Sequence, residues 1–465
     1  MPAIVNDTIC AIATPVGRNG IGIVRLSGPD IGKACEEILG FLPSPRHAHY
    51  CDFLDADQTV IDQGVAIFYQ SPDSFTGEDI LELQGHGGVY VLAAVLERVL
   101  SLDIRLASPG EFSERAFLND KIDLLQAEAI ADLIDANTKQ AAQSAMRTLK
   151  GQFSELVYGL LKMLTAIRVN VEAAIDFSDE DIDLIADTKV GESIEETLSQ
   201  ISAVYAQAQQ GALLKNGLQV VITGIPNAGK SSLLNALSGI DSAIVTDIPG
   251  TTRDLLKEEI SIDGMPIHII DTAGLRTSDN IVEIEGVKRA HDAIETADQI
   301  LLVFDCTSSE QDVDKVLQPL NLAEKSTDSI ESILARCTLI YNKIDLLDNT
   351  PGKDTFLYKN KELSKIRLSA KQGTGIGILR DHLKTCAGFR PTEETAFVAR
   401  ERHLAELKKA EKLIRHGLFQ LSKGSHLELV AEDLRLAQNH LGAITGEFTS
   451  DDLLGEIFSS FCIGK

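Results

Sequence analysis

The residues with the tightest chemical spacing are Gly224-Ile225-Pro226-Asn227-Ala228-Gly229-Lys230-Ser231, entered from the apolar run LQVVITG and followed by SSLLNALSG. This is GxxxxGK[ST] between a strand-like and a helix-like stretch, the context in which the pattern cradles phosphates. Its glycines let successive backbone N–H groups curl around phosphate oxygens, and the N-terminus of the following helix adds partial positive charge. Lys230 neutralises β- and γ-oxygens, the Ser231 hydroxyl suits Mg2+, and Asn227, Ala228, Gly229 and Ser232 complete the cradle. A chance glycine-rich turn is the competing reading, and correct flanks on both sides weigh against it.

Four further stretches follow in the order a GTP-binding domain needs. The segment Thr246, Asp247, Ile248, Pro249, Gly250 leads into Thr251 and Thr252, either of which can complete a Mg2+ shell and reach a γ-phosphate. Asp271-Thr272-Ala273-Gly274 follows the strand-like PIHII, which brings a carboxylate near the metal and the Gly274 N–H near the γ-phosphate. Asp263-Gly264, between EEISI and PIHII, predicts a tight hairpin. Asn342-Lys343-Ile344-Asp345 after TLIY resembles the NKxD motif of Ras-like GTPases, in which the Asp accepts two hydrogen bonds from guanine. Ser369-Ala370-Lys371 after KIRL resembles the loop that contacts the guanine oxygen. Adenine would turn an acceptor toward Asp345, so GTP is expected to bind far better than ATP. The residue after Gly274 is Leu275, which cannot orient a water as the glutamine of Ras does. Arg276, Glu283 and Glu285 are the nearby alternatives, each individually more often a solvated charge.

The elements that must position these residues fall into three textures. At 465 residues the chain exceeds one ordinary core, given about 100–200 residues per domain. Residues 1–118 alternate short apolar runs with turns and read as an α+β domain with a helix at VYVLAAVLERVL. Residues 119–215 and 385–465 carry three- and four-residue apolar spacing and read as one discontinuous helical domain. Residues 216–384, where strands and helices alternate, are the inserted phosphate-binding α/β domain, so the expected fold class is multidomain α/β. A net charge of −26 argues against broad phosphate-backbone binding without a local basic patch or a second subunit. Seven cysteines form no CxxC pair, and no leader or long apolar span is present, so a cytoplasmic protein with free thiols and no membrane partner is expected.

The chain ends FSSFCIGK. Cys462 has the position of a prenylated cysteine, but Gly464 is not aliphatic, Lys465 is a poor terminal residue and no polybasic stretch precedes it. A cysteine capping an amphipathic helix with Leu453, Leu454, Ile457, Phe458 and Phe461 on its apolar face is the bland reading. The stretches FTGEDILELQGHGG, SPGEFSERAFLNDKIDLLQAEAIADLIDA, VEAAIDFSDEDID, GIPNAGKSSLLNAL, TDIPGTTRD, IDTAGLR and ITGEFTSDDLLGEIFSSFCIGK decide against it. Together they make the chain resemble the MnmE (TrmE) family of tRNA-modification GTPases over nearly its full length.

The resemblance implies an N-terminal domain that dimerises and binds a tetrahydrofolate derivative (5-formyl or 5,10-methylene), a discontinuous helical domain and an inserted Ras-like GTPase domain. It implies a homodimer that works with FAD-containing MnmG, in a heterotetramer, to place an aminomethyl or carboxymethylaminomethyl group on the wobble uridine of certain tRNAs. The family's folate contacts fall on Arg25, Glu82, Lys121 and Lys465, with Cys462 a thiol nearby and a candidate participant in the chemistry. Its K+ ligands fall on Asn227, Thr246, Ile248 and Thr251, which leaves Thr252 with Ser231 for Mg2+. Its water-positioning carboxylate falls on Glu283, which answers the problem posed by Leu275. The competing function is a GTPase used purely as a conformational switch, for example in ribosome assembly, which leaves the N-terminal domain and the FCIGK tail without a role.

Overall fold

The computed structural model describes residues 7–15, 17–176, 187–239, 257–271, 292–307, 327–347, 349–358, 361–389, 397–423, 427–447, 451–459, 461 and 464. The chain divides into two compact units, one built from Met1–Ala131, Arg147–Ser202 and Ala405–Lys465, the other from Asp132–Met146 and Ala203–Leu404.

The first unit is organised by a six-stranded sheet of β1 (Ile9–Ile12), β2 (Asn19–Ser27), β3 (Ala48–Leu54), β4 (Val60–Tyr69), β5 (Ile80–Gly87) and β6 (Arg105–Leu106), in the order β3-β4-β5-β2-β1-β6. Strand alternation turns Val24, Leu26, Ala66, Phe68, Leu81 and Leu83 to one face, where the helices Ile31–Leu39 and Val89–Leu100 bury them. Ile9 and Ala11 point to the other face and pack with Ala107, which follows β6, and with Phe112 of the helix Glu111–Leu118. The expected helical spacing is realised in the long helix Gln152–Asp176, whose buried Val157, Leu160, Leu164, Ile167 and Val171 form one stripe. That helix packs along Leu427–Thr445. The terminal helix Asp451–Ser459 lays Leu454, Ile457 and Phe458, followed by Phe461, onto Leu124 and Ala127.

The second unit contains a seven-stranded sheet of β7 (Leu218–Gly224), β8 (Lys257–Ile262), β9 (Met265–Asp271), β10 (Gln299–Asp305), β11 (Cys337–Asn342), β12 (Gly352–Tyr358) and β13 (Lys361–Arg367). Its order is β12-β13-β11-β10-β7-β9-β8, with β8 and β12 as antiparallel edges around five parallel strands. The inner five strands with β8 have the Ras-like arrangement that the motifs predict; β12 is an added edge strand. The chain leaves β7 toward β9 on one side and returns to β10 on the other, so the crevice where ligands bind in such sheets lies between β7 and β10. The Asp263-Gly264 hairpin forms as expected. Both residues have positive φ, 50° and 87°, the conformation that a two-residue hairpin turn demands.

A charge network in the first unit has no counterpart in the motif reading. Arg115 donates to Asp7 Oδ1 at 2.7 Å, Glu111 Oε1 at 2.9 Å and Glu78 at 3.2 Å, while Arg105 reaches Glu111 Oε1 at 2.6 Å. Ser27 Oγ joins Glu78 and Thr76 at 2.7 Å each. Burial pushes the Glu111 carboxyl up, but hydrogen bonds from Arg105, the Ser108 N–H and Arg115 outweigh it and hold Glu111 below the usual carboxylate range. Burial opposes, and Arg105 and Arg115 likewise overcome, for Asp7. Folding therefore lowers both pKa values, and the resulting stability is full above the unfolded carboxylate value of about 4 and fades as pH falls through the lower folded values. Glu111→Gln is expected to cost about 2 kcal/mol at pH 7 and to flatten the fall of the thermal midpoint on acidification. Midpoints that fall with the same slope in wild type and variant would contradict this assignment.

Candidate functional site

The phosphate cradle is built from the end of β7. Gly224 has φ 149° and Gly229 has φ 94°, with the helix Lys230–Ser238 starting directly after Gly229. A side chain on Gly229 would collide with the Asn342 carboxamide, so glycine is required there for close approach as well as for φ. Lys230 Nζ donates to the carbonyls of Gly224 at 2.9 Å and Ile225 at 3.0 Å, which holds the ammonium over the loop. Ser231 and Ser232 are exposed in the first turn. Asp271 ends β9 in register with Ile222 of β7, beside the strand that carries the cradle.

Asn342 ends β11 and is buried, with 2% exposure. Its Nδ2 donates to the Ala228 carbonyl at 2.9 Å, and its Oδ1 accepts the N–H groups of Lys343 at 2.8 Å and Ala370 at 2.9 Å. Both acceptor positions are thereby used and the amide points into the cradle, so Asn342 acts as a strut between loops. Lys343, in the left-handed region at φ 66°, bridges the Asn227 carbonyl at 2.7 Å and Asp305 Oδ2 at 2.8 Å. Asp345 stands in the short turn Ile344–Leu346, and its Oδ1 accepts from Ser369 Oγ at 2.6 Å. Among the described residues Asp345 Oδ2 has no hydrogen-bond partner, which leaves one carboxylate edge for a donor pair such as that of guanine. Lys371, which follows Ser369 and Ala370 in sequence, is exposed. The structure thus brings Asn227, Ala228, Gly229, Asn342, Lys343, Asp345, Ser369 and Ala370 into one bonded set. Thr246, Asp247, Ile248, Pro249, Gly250, Thr251, Thr252, Thr272, Ala273, Gly274 and Glu283 lie outside the described residues.

In the first unit, Arg25 on β2 stands directly opposite Glu82 on β5, and Arg25 Nε and Nη2 donate to Glu82 Oε1 at 3.0 and 2.8 Å. Glu82 Oε2 accepts from Gln84 at 3.0 Å, and the guanidinium lies 5.9 Å from the Phe112 ring centre. The two residues assigned separately from the sequence are therefore one cross-strand ion pair. Among the described residues Arg25 Nη1 keeps a free donor, which fits a carboxylate ligand. Lys121 Nζ donates to the Pro72 carbonyl at 2.8 Å. Cys462 and Lys465 lie outside the described residues, but Gly464, at φ 93°, packs against the backbone of Ile12 and Ala13. Ile12 is on β1, one position along from the partner of Arg25. Cys10, Cys35 and Cys337 are buried thiols pushed up to about 12 by burial, unsuited to nucleophilic work.

Asp305 and the Glu78–Arg115 network escaped the motif reading. The available signal for Asp305 was a carboxylate closing the apolar run ILLVF, since strand ends line the crevice of an α/β sheet. Asn342→Ala removes a strut with three bonds and is expected to cost about 2–4 kcal/mol of stability in the second unit and to weaken nucleotide binding at least in proportion. Unchanged melting and nucleotide affinity would rule out the strut.

Known proteins match the chain along nearly its whole length. Residues 8–121 match the family model "GTP-binding protein TrmE N-terminus", and residues 124–462 match "MnmE helical domain". The tRNA modification GTPase MnmE of Hydrogenovibrio crunogenus is 54% identical over 460 residues, covering 99% of each chain. Those of Pseudomonas entomophila and Histophilus somni are 54% and 52% identical, again over 99% of each chain. Among solved structures, the G domain of the T. maritima FeoB iron transporter covers 37% of this chain and 98% of its own at 24% identity, with a TM-score of 0.25 that adds nothing to the sheet topology. Over essentially its whole length, the chain belongs to the tRNA modification GTPase MnmE family.

Proposed function

We propose that this chain hydrolyses GTP in a K+-dependent reaction and, as a homodimer working with the FAD-containing protein MnmG, adds a carboxymethylaminomethyl or aminomethyl group to C5 of the wobble uridine of certain tRNAs. A tetrahydrofolate derivative supplies the one-carbon unit. The observation that carries this reading is 54% identity over 99% of both chains to a protein named for tRNA modification and GTPase activity. The bonded set around Asn342 supports the nucleotide half of it.

Each residue has a physical task in this reading. The backbone N–H groups of the cradle and Lys230 hold the phosphates, Ser231 and Thr252 hold Mg2+, and Asp345 reads guanine. Asn227, Thr246, Ile248 and Thr251 hold K+. When bound, the two cations neutralise charge that develops between the β- and γ-phosphates. Glu283 aligns the attacking water, which Leu275 cannot do. Arg25, Glu82, Lys121 and Lys465 hold the folate, whose glutamate tail suits cations and whose pterin donors suit a carboxylate. Cys462 contributes a thiol beside it.

The experiment is a mass-spectrometric nucleoside analysis of tRNA from cells lacking the protein, complemented with wild type or with Cys462→Ser. Loss of the modified wobble uridine, restored only by wild type, is expected. An unchanged nucleoside profile in the deletion strain returns the pure-switch reading, and equal restoration by both versions removes the thiol from the chemistry. In vitro, hydrolysis is expected to be much faster in KCl than in NaCl, and Glu283→Ala is expected to slow it about 100-fold or more with GTP binding retained. Equal rates in the two salts would remove the K+ assignment.

A further inference from the structure

The two loops that must act together on one nucleotide come from different strands. The cradle follows β7, and the loop with Lys343 and Asp345 follows β11. Between these strands runs β10, with Val303 in register with Gly224 and Asp305 in register with Asn342. Asp305 is therefore the residue that ends the strand between the two loops, at the crevice where the strand order reverses.

Its carboxylate is fixed from both sides. Oδ1 accepts the Thr307 N–H at 3.0 Å and the Thr307 hydroxyl at 2.8 Å, a local turn that sets the orientation. Oδ2 accepts from Lys343 Nζ at 2.8 Å, and the same ammonium donates to the Asn227 carbonyl at 2.7 Å. Burial pushes the Asp305 carboxyl up, but the hydrogen bonds from Lys343 and Thr307 outweigh it and hold it below the usual range. Lys343 has a long flexible stem and a strongly hydrated head, so an aimed ammonium needs an anchor. Asp305 is that anchor, while Asn342 ties the same loops independently through Ala228.

We propose that Asp305 is a positioning residue for nucleotide binding: it aims the Lys343 ammonium at the Asn227 carbonyl and so holds the phosphate cradle and the base-reading loop at a fixed separation. This rests on the reading of the second unit as a GTP-binding domain. Loss of the Asp305 charge loosens one of two struts, so the fold persists and the affinity falls.

The test is calorimetric titration of the full chain with GTP and Mg2+, using wild type, Asp305→Asn, Lys343→Gln and the double variant, with thermal midpoints for each. Asp305→Asn keeps an acceptor for the Thr307 N–H, removes the charge and turns an amide donor instead of an acceptor toward Lys343. It is expected to bind GTP about 10-fold more weakly, near 1.4 kcal/mol, with little change in midpoint. Asp305→Glu, which keeps the charge, is expected to recover most of that loss. Because Asp305 acts through Lys343, the double variant is expected to bind as weakly as Lys343→Gln and no more weakly. Multiplied losses in the double variant, or wild-type affinity in Asp305→Asn, would overturn the proposal. Absence of GTP binding in the wild type would overturn the nucleotide reading beneath it.

Discussion

The amide of one buried asparagine ties together the loops that form the proposed nucleotide site. Asn342 holds the cradle through the Ala228 carbonyl and holds the loops after β11 and β13 through the N–H groups of Lys343 and Ala370. In the proposed function, phosphate and base contacts come from the loops after β7, β11 and β13, which lie far apart in sequence. A side chain with two donors and two acceptors, shielded from water, makes them one object. The Lys343–Asp305 pair and the Ser369–Asp345 bond then orient the charged groups on that object. Glycine at 229 is part of the same constraint, because only a residue without a side chain lets the cradle close on Asn342.

The first unit solves a different problem, that of keeping charge on a sheet face. Arg25 and Glu82 neutralise each other across β2 and β5, and the Asp7, Glu78, Glu111, Arg105 and Arg115 network ties the FTGED and SPGEFSER stretches together. Such groups are costly to bury singly and tolerable when every partner is present. Their arrangement places Arg25 on the strand beside β1, against whose end Gly464 of the chain terminus packs.

Much of this was legible in the sequence, for physical reasons. The cradle, the Asp263-Gly264 hairpin and the NKID turn are local patterns whose backbone demands can be met by few residue types, and each appears where expected. Long helices with one buried stripe were equally plain from periodicity, as in Val157 to Val171 and Leu454 to Phe458. What escaped were relations between distant residues. Nothing local says that Arg25 meets Glu82, since the pair is set by strand register across 57 residues. Nothing local says that Asp305 anchors Lys343, or that Asn342 spends its amide on loop backbone. The added edge strand β12 was missed because its alternation, exposed on both sides, carries little hydrophobic signal.

The most direct test of this account is nucleotide selectivity in the wild-type chain, measured as the affinities for GTP, ATP and xanthosine triphosphate under identical Mg2+ and K+ concentrations. A free edge on Asp345, held in place through Asn342 and Ser369, predicts that GTP binds at least about 1,000-fold more tightly than either competitor, because each would leave the carboxylate facing an acceptor or a missing donor. Comparable affinities for GTP and ATP would contradict it, and with it the claim that these loops are tied together to read guanine.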